Sequence, residues 1–260
     1  MKQYLVFDLD GTLVDSLPGI AAGINRALSA CGYPTHPQEK VRAMIGRGAA
    51  NLCAQAIGYA GSAEAPPDQL EAVHAAFRRE YPHCWCGEEY TRAYEGITPL
   101  LEKLAAAGAR LAVLSNKPHE VTEPMVRHLF PTVPFDVVLG YTPAFPRKPN
   151  PTSMHYIAEK WGVSPAEITL VGDSLFDARC AENAGTGLVL VGWGYAADPA
   201  ALRAWPAPVC ETMQALENCL LGTSNKSVYL SKLLFVFFPG ELSERNSKAH
   251  GSGRKDGRQG

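Results

Sequence analysis

No stretch of this sequence is apolar for long enough to cross a bilayer. The longest, Val228 to Phe238, has eleven residues and is interrupted by Ser231 and Lys232, whereas a membrane helix needs about 20. Near the start, Lys2 is followed by only four apolar residues, Tyr4 to Phe7, before Asp8. That is not the pattern of a secretory signal. A surplus of either charge is missing as well. The 24 Lys and Arg face 26 Asp and Glu, for a formal net charge of −2, so nothing global recruits nucleic acid or an anionic membrane, and neither is expected as a partner. A disulfide framework is also lacking. Cys31, Cys53, Cys84, Cys86, Cys180, Cys210 and Cys219 are odd in number and irregularly spaced, as expected of reduced thiols in a cytoplasmic protein. Cys84 and Cys86, next to His83, are separated by one residue where zinc sites use two or more, and no second ligand pair follows. Packed thiols are expected there, not a metal.

What the chain does have is the composition of a folded domain: 260 residues, 46% hydrophobic and 19% charged. That is enough for one large domain, or one domain with a smaller insert. Five short, apolar, β-prone runs read as buried strands: Tyr4–Phe7, Arg110–Leu114, Phe135–Leu139, Ile168–Val171 and Gly187–Val191. Helical patterns lie between them, at Thr98–Ala107, Pro151–Trp161 and Leu175–Ala184, each running up to a glycine. Alternation of this kind predicts an α/β fold built on a Rossmann-like parallel sheet.

Residues 16–93 break the alternation. Helical patterns fall at Ile20–Cys31, Pro37–Ile45, Asn51–Gly58 and Asp68–Tyr81, with no clear strand. The expected organisation is an α/β core from residues 1–15 and 94–221, with an all-helical insert at 16–93. Thr91–Gly96 forms the returning hinge. Periodicity ends near Leu221, and 222–260 is expected to be a poorly structured tail. It carries seven Lys and Arg against three acids and ends in a Gly/Lys/Arg-rich run from Gly251.

The chemistry concentrates at strand ends. Asp8-Leu9-Asp10-Gly11-Thr12 follows the first strand. Side chains two apart in an extended chain share a face, so Asp8 and Asp10 are expected in one pocket, with Gly11 allowing a tight turn. Two adjacent carboxylates repel, and the pair calls for a cation or a shared proton. Gly172-Asp173-Ser174-Leu175-Phe176-Asp177 follows the fourth strand and adds Asp173 and Asp177 at the same sheet edge, where ligands bind in open parallel sheets. Asp8, Asp10 and Asp173 together suit Mg²⁺. Ser115-Asn116-Lys117-Pro118 and Lys148 follow the second and third strands, supplying a hydroxyl, an amide and an ammonium for a phosphoryl group.

These four motifs, in this order, resemble those of the haloacid dehalogenase superfamily over roughly residues 1–220. Within it, Val14-Asp15-Ser16, Ile45-Gly46-Arg47-Gly48 and Ser115-Asn116-Lys117-Pro118 are most similar to phosphoglycolate phosphatases. The resemblance implies a Mg²⁺-dependent phosphatase acting on small phosphorylated metabolites such as 2-phosphoglycolate. Asp8 would be the nucleophile that carries an aspartyl-phosphate. Asp10 would be the acid and then the base. Asp8, the Asp10 carbonyl and Asp173 would hold the metal. Thr12, Ser115, Asn116 and Lys148 would bind phosphate, and Asp177 and Ser174 would support them. Asp177 would orient Lys148 or the metal's waters, with a helix-cap role open beside it. The helical insert at 16–93 is similar to the family's small cap domain, and Arg47, between two glycines, is the candidate residue in it for a substrate carboxylate or second phosphate.

A sugar phosphomutase, a pyrophosphatase of the same superfamily and a silent binding module remain as alternatives. A dehalogenase would leave Asp10 without a task. A phosphonate hydrolase would need a cap lysine, and residues 41–95 contain none. Monomer and homodimer are both open.

Overall fold

The computed structural model describes residues 3–87 and 89–222, all within one unit, Met1–Ser224. The expectations for the tail, Val228–Phe238 included, lie outside the described residues. In chain order the elements begin with β1 (Tyr4–Phe7), β2 (Val14–Asp15), α1 (Leu17–Ala30), α2 (Gln38–Arg42), α3 (Ala49–Ala56), α4 (Pro67–Glu80) and β3 (Arg92–Ala93). They continue with α5 (Ile97–Ala106), β4 (Arg110–Pro118), α6 (His119–Leu129), β5 (Phe135–Tyr141), α7 (Thr152–Trp161) and β6 (Ile168–Gly172). The last are α8 (Leu175–Ala184), β7 (Gly187–Val191), α9 (Pro199–Ala204), β8 (Val209–Cys210) and α10 (Met213–Leu221).

Six strands form one sheet in the order β5-β4-β1-β6-β7-β8, and every pairing in it is parallel. The period of two along β1 divides the core. Leu5 and Phe7 pack with Leu100 and Leu104 of α5, Met125 of α6 and Leu216 of α10. Val6 faces the other way, toward Met154 and Ile157 of α7 and Ala181 of α8. Because both sheet faces are covered by helices, the strands read as unbroken apolar runs.

A separate apolar cluster joins α1 to α4, through Ile20, Ile24, Leu28, Leu52, Val73 and Phe77, and includes Tyr81. The chain enters and leaves this helical segment through paired backbone: β2 and β3 form a two-stranded antiparallel ladder, Val14 opposite Ala93 and Asp15 opposite Arg92. The expected hinge at 91–96 thus contains a short strand, and the 16–93 stretch is not purely helical.

Other boundaries differ for local reasons. α2 spans five residues, where a pattern over Pro37–Ile45 suggests nine. α6, α9, α10 and β8 are additional elements; α6 carries Pro124 inside it, which masks its pattern. β4 runs through Ser115-Asn116-Lys117-Pro118, and its pairing with β5 shifts between Leu114 and Pro118, so the second motif is the end of the strand itself, not the loop after it. All seven cysteines are unpaired, and the thiols of Cys84 and Cys86 donate to the Glu80 and Pro82 carbonyls, respectively. No helix among the described residues is long and apolar enough to cross a membrane.

Candidate active site

β1 lies between β4 and β6, so the carboxyl ends of three adjacent strands deliver Asp8, Ser115 and Asp173 to one place. Lys148 arrives from the segment after β5. Together with Asp10 they line a cavity of about 580 Å³ whose other wall includes Arg47, Phe77 and Tyr81 of the helical segment. Only glycine fits at two points of the floor. Gly11 has φ +83°, and an added Cβ would run into the Asp173 carboxylate; at Gly172 it would run into Asp177.

Lys148 is the hub. Its ammonium donates to Asp177 Oδ1 at 2.6 Å, Asp8 Oδ1 at 2.7 Å and the Leu114 carbonyl at 3.0 Å, which uses all three of its donors. Burial alone would lower its pKa, but Asp177 and Asp8 outweigh that and hold it above the ordinary lysine value. Asp177 does two things at once. One oxygen holds Lys148. The other accepts from the Ser174 backbone N–H and hydroxyl, closing a capping box at the start of α8. The orienting role and the helix-cap role are therefore the same carboxylate.

Asp8, Asp173 and Asp177 are all buried, and each offers an oxygen within 4.8 Å of the others. Burial, opposed by Lys148 and reinforced by Asp177 and Asp173, pushes the Asp8 carboxyl well above the usual range. Burial and Asp177 push Asp173 up to about 7, against the Tyr195 N–H, Lys148 and Thr12. Hard carboxylate oxygens crowded this closely fit a divalent cation such as Mg²⁺, which would remove the repulsion. The Asp10 carboxylate stands apart from this group. Ser16 donates its hydroxyl to Oδ1 at 2.5 Å, and Lys117 lies 3.1 Å from Oδ2. Asp10 belongs to the expected metal set through its backbone carbonyl only.

Asn116 and Thr12, both expected at phosphate, have partners within the protein. The Asn116 amide is complementary to a peptide group and is spent on one: Oδ1 accepts from Lys148 N at 2.7 Å, while Nδ2 donates to the Lys148 and Gly46 carbonyls. It pins the Lys148 segment to the Gly46 loop. Thr12 is fully buried and turns its hydroxyl to Asp173 Oδ1 at 3.2 Å, so it braces that carboxylate from behind. Ser115 is buried at the cavity, where its Oγ accepts from Lys117 N. Arg47 is exposed on the opposite wall and makes no ion pair among the described residues.

Tyr195 is a site residue that the motifs do not announce. Its N–H donates to Asp173 Oδ2 at 2.6 Å. Its hydroxyl accepts from the backbone N–H groups of Ser16 and Leu17 and donates to Asp15. Ser16 is the N-cap of α1 but makes no side-chain cap, having given its hydroxyl to Asp10, and Tyr195 satisfies the orphan donors in its place. The signal in the sequence is Gly192-Trp193-Gly194-Tyr195 directly after a strand. A Cβ at Gly194 would also collide with Asp173.

The comparisons agree with this geometry. The haloacid dehalogenase-like hydrolase family model matches residues 5–191. Phosphoglycolate phosphatase of Vibrio parahaemolyticus is 34% identical over 197 residues, covering 74% of this chain and 85% of that one. The Escherichia coli K12 phosphoglycolate phosphatase is 33% identical over 207 residues, with 74% and 81% covered. A crystal structure described as a predicted phosphoglycolate phosphatase from Haemophilus somnus 129pt superposes with a TM-score of 0.74 at 31% identity, covering 86% of this chain and 98% of that one. With four motifs at one sheet edge, a family match across most of the fold and relatives at this identity, the chain belongs to the haloacid dehalogenase-like hydrolase family.

Proposed function

We propose that the protein is a Mg²⁺-dependent phosphatase that hydrolyses small phosphate monoesters of the 2-phosphoglycolate type through an aspartyl-phosphate on Asp8. The observation that carries this reading is the placement of two carboxylates with different surroundings in one cavity. Asp8 sits against Lys148 and the acidic cluster, while Asp10 is held 3.1 Å from Lys117, outside that cluster. Both face one cavity, as an attacking carboxylate and a proton-moving carboxyl that act on the same ester would have to. Mg²⁺, held by Asp8, Asp173 and the Asp10 carbonyl, would supply charge neutralisation for the phosphoryl oxygens.

The chain's own groups then divide the work. Asp8 attacks phosphorus, and the phosphorus–oxygen bond to the alcohol breaks. Asp10 gives its proton to the departing alkoxide. After the alcohol leaves, Asp10 takes a proton from the water that hydrolyses the acyl phosphate. Lys148 keeps its charge against Asp8 throughout. All of its donors are used within the protein, so it acts on the nucleophile's side and not as a direct phosphate clamp. The Ser115 hydroxyl, which lines the cavity, is the group that would receive a phosphate oxygen. The helical segment serves as the cap that closes the cavity and reads the rest of the substrate. The unpaired cysteines, several of them buried, support a cytoplasmic setting.

A phosphate-release screen with Mg²⁺ over 2-phosphoglycolate, sugar phosphates, nucleotides and pyrophosphate tests the reading. Release from a small monoester is the expected result. Release from pyrophosphate alone, or from no monoester, overturns it.

Arg47 gives the substrate class a separate check. If it meets a carboxylate or distal phosphate, Arg47→Ala lowers kcat/KM for that substrate by about 10–100-fold, the worth of a charge-assisted contact. Uncharged test esters should change little. An equal loss on both would assign Arg47 to cap closure instead.

The metal gives another. In the folded chain Asp173 titrates near 7, far above the value near 3.9 of a free aspartate. Between those values the native state holds more protons than the unfolded one, so this group's contribution to stability falls as pH rises. A cation bound to the ionised cluster reverses that loss. The rise in Tm on adding Mg²⁺ to protein in EDTA is therefore expected to be larger at pH 7.5 than at pH 5. An increment that is equal at the two pH values, or absent at pH 7.5, argues against Mg²⁺ at these carboxylates.

A further inference from the structure

We propose that Lys117 is a positioning residue that holds the Asp10 carboxyl in line with the departing alcohol; this rests on the phosphatase reading above. Lys117 is buried at the carboxyl end of β4, and its ammonium reaches two groups. Asp10 Oδ2 is 3.1 Å away, and the Tyr81 hydroxyl accepts at 2.8 Å. The ammonium also sits 4.8 Å from the Tyr81 ring centroid, and that ring is stacked on Phe77 at 5.0 Å in the helical segment. Ser16 holds the other Asp10 oxygen at 2.5 Å.

A carboxyl tied at one oxygen only is free to rotate about its Cβ–Cγ bond. One tied at both oxygens, by groups on different elements, is not. Proton transfer requires the donor oxygen within about 3 Å of the leaving oxygen, and misplacement of about 1 Å costs roughly 100-fold. Lys117 makes no ion pair with Asp8, Asp173 or Asp177 among the described residues, so its effect falls on Asp10 and not on the nucleophile. Its second contact comes from the cap. The grip on Asp10 is therefore complete only when Tyr81 is in place, which couples closure of the cavity to the readiness of the acid.

The test is the leaving-group dependence of kcat/KM, which reports steps up to departure of the alcohol and excludes the later hydrolysis. Lys117→Met is compared with wild type on 2-phosphoglycolate (or the best alkyl ester of the screen) and on p-nitrophenyl phosphate. The nitrophenolate departs without a proton. The alkyl ester is expected to lose about 100-fold and the p-nitrophenyl ester less than about 5-fold, since general acid assistance is worth 10²–10⁴. Tyr81→Phe keeps the packed ring and the Lys117–Asp10 pair, and should shift the same ratio in the same direction by less. An equal loss on the two esters, or no loss on either, overturns the proposal by making Lys117 a structural tie or a bystander. If wild type releases phosphate from neither ester, the phosphatase reading itself has failed. Where Lys117→Met does not fold, Lys117→Arg keeps the charge, displaces it and is judged on the same ratio.

Discussion

Asp8→Asn is expected to lose roughly 10⁴-fold or more in turnover, the scale on which removal of a covalent nucleophile is felt, while the protein stays at least as stable as wild type in the absence of Mg²⁺. The two halves have one cause. Asp8 is buried among Asp173 and Asp177, and its carboxyl is pushed well up by that burial and those neighbours despite Lys148. An amide of the same shape still accepts the Leu9 N–H, 2.7 Å from Oδ1 in the wild type, and adds no charge to the cluster. It cannot attack phosphorus. Phosphate release under saturating Mg²⁺ and Tm in EDTA check both halves. A residual rate above about a tenth of wild type would falsify covalent catalysis at this position. A large drop in Tm would show instead that the Asp8–Lys148 pair outweighs the repulsion.

Lys148→Met is expected to do the opposite to stability and the same to activity. The ammonium is buried and neutralises Asp177 at 2.6 Å and Asp8 at 2.7 Å. Its removal leaves two buried carboxylates facing Asp173 with no internal cation. Breaking a buried pair in this way costs about 3–5 kcal/mol, and the loss of charge against the nucleophile is expected to cost about 10²–10³ in kcat. Urea denaturation with and without Mg²⁺ separates the effects. Stability should recover in part when Mg²⁺ takes over some of the charge, but turnover should not. A variant whose unfolding free energy stays within about 1 kcal/mol of wild type would show that the cluster does not depend on Lys148. Recovery of activity by Mg²⁺ alone would show that the lysine supplies only charge.

Much of this was legible along the chain because it depends on local order. The five main strands announce themselves as short apolar runs, since a parallel sheet covered on both faces has no polar side to show. Asp8, Asp10, Ser115 and Asp173 each stand just after or at the end of such a run, and Lys148 lies in the segment that follows one. The doubly wound topology brings the carboxyl ends of those strands together, whatever else the chain does. Leu175–Ala184 is bounded by Ser174 and Gly185, and its ends follow from capping chemistry that neighbours in sequence decide. Tertiary packing made the other decisions. α6 hides behind Pro124, and β8 is two residues long, so neither carries enough periodicity to be read. Both exist because a neighbouring element offers an apolar face or an open sheet edge.

The direction in which each polar side chain points was equally out of reach. Asn116 and Thr12 have the right chemistry for phosphate, but Asn116 is spent on the Lys148 backbone and Thr12 on Asp173. Lys117 stands inside the second motif, and Tyr81 and Tyr195 stand outside all four, yet Lys117 joins the Tyr81 hydroxyl to Asp10 and Tyr195 braces Asp173. The sequence by itself determined the fold class and the set of reactive groups, because strand-end motifs are local and the parallel sheet converges them. Only the tertiary structure decided which polar groups satisfy one another and which are left facing the cavity. Hydrogen-bond partners in a buried site are chosen by distances across elements far apart in the chain, and no spacing along the sequence encodes those distances.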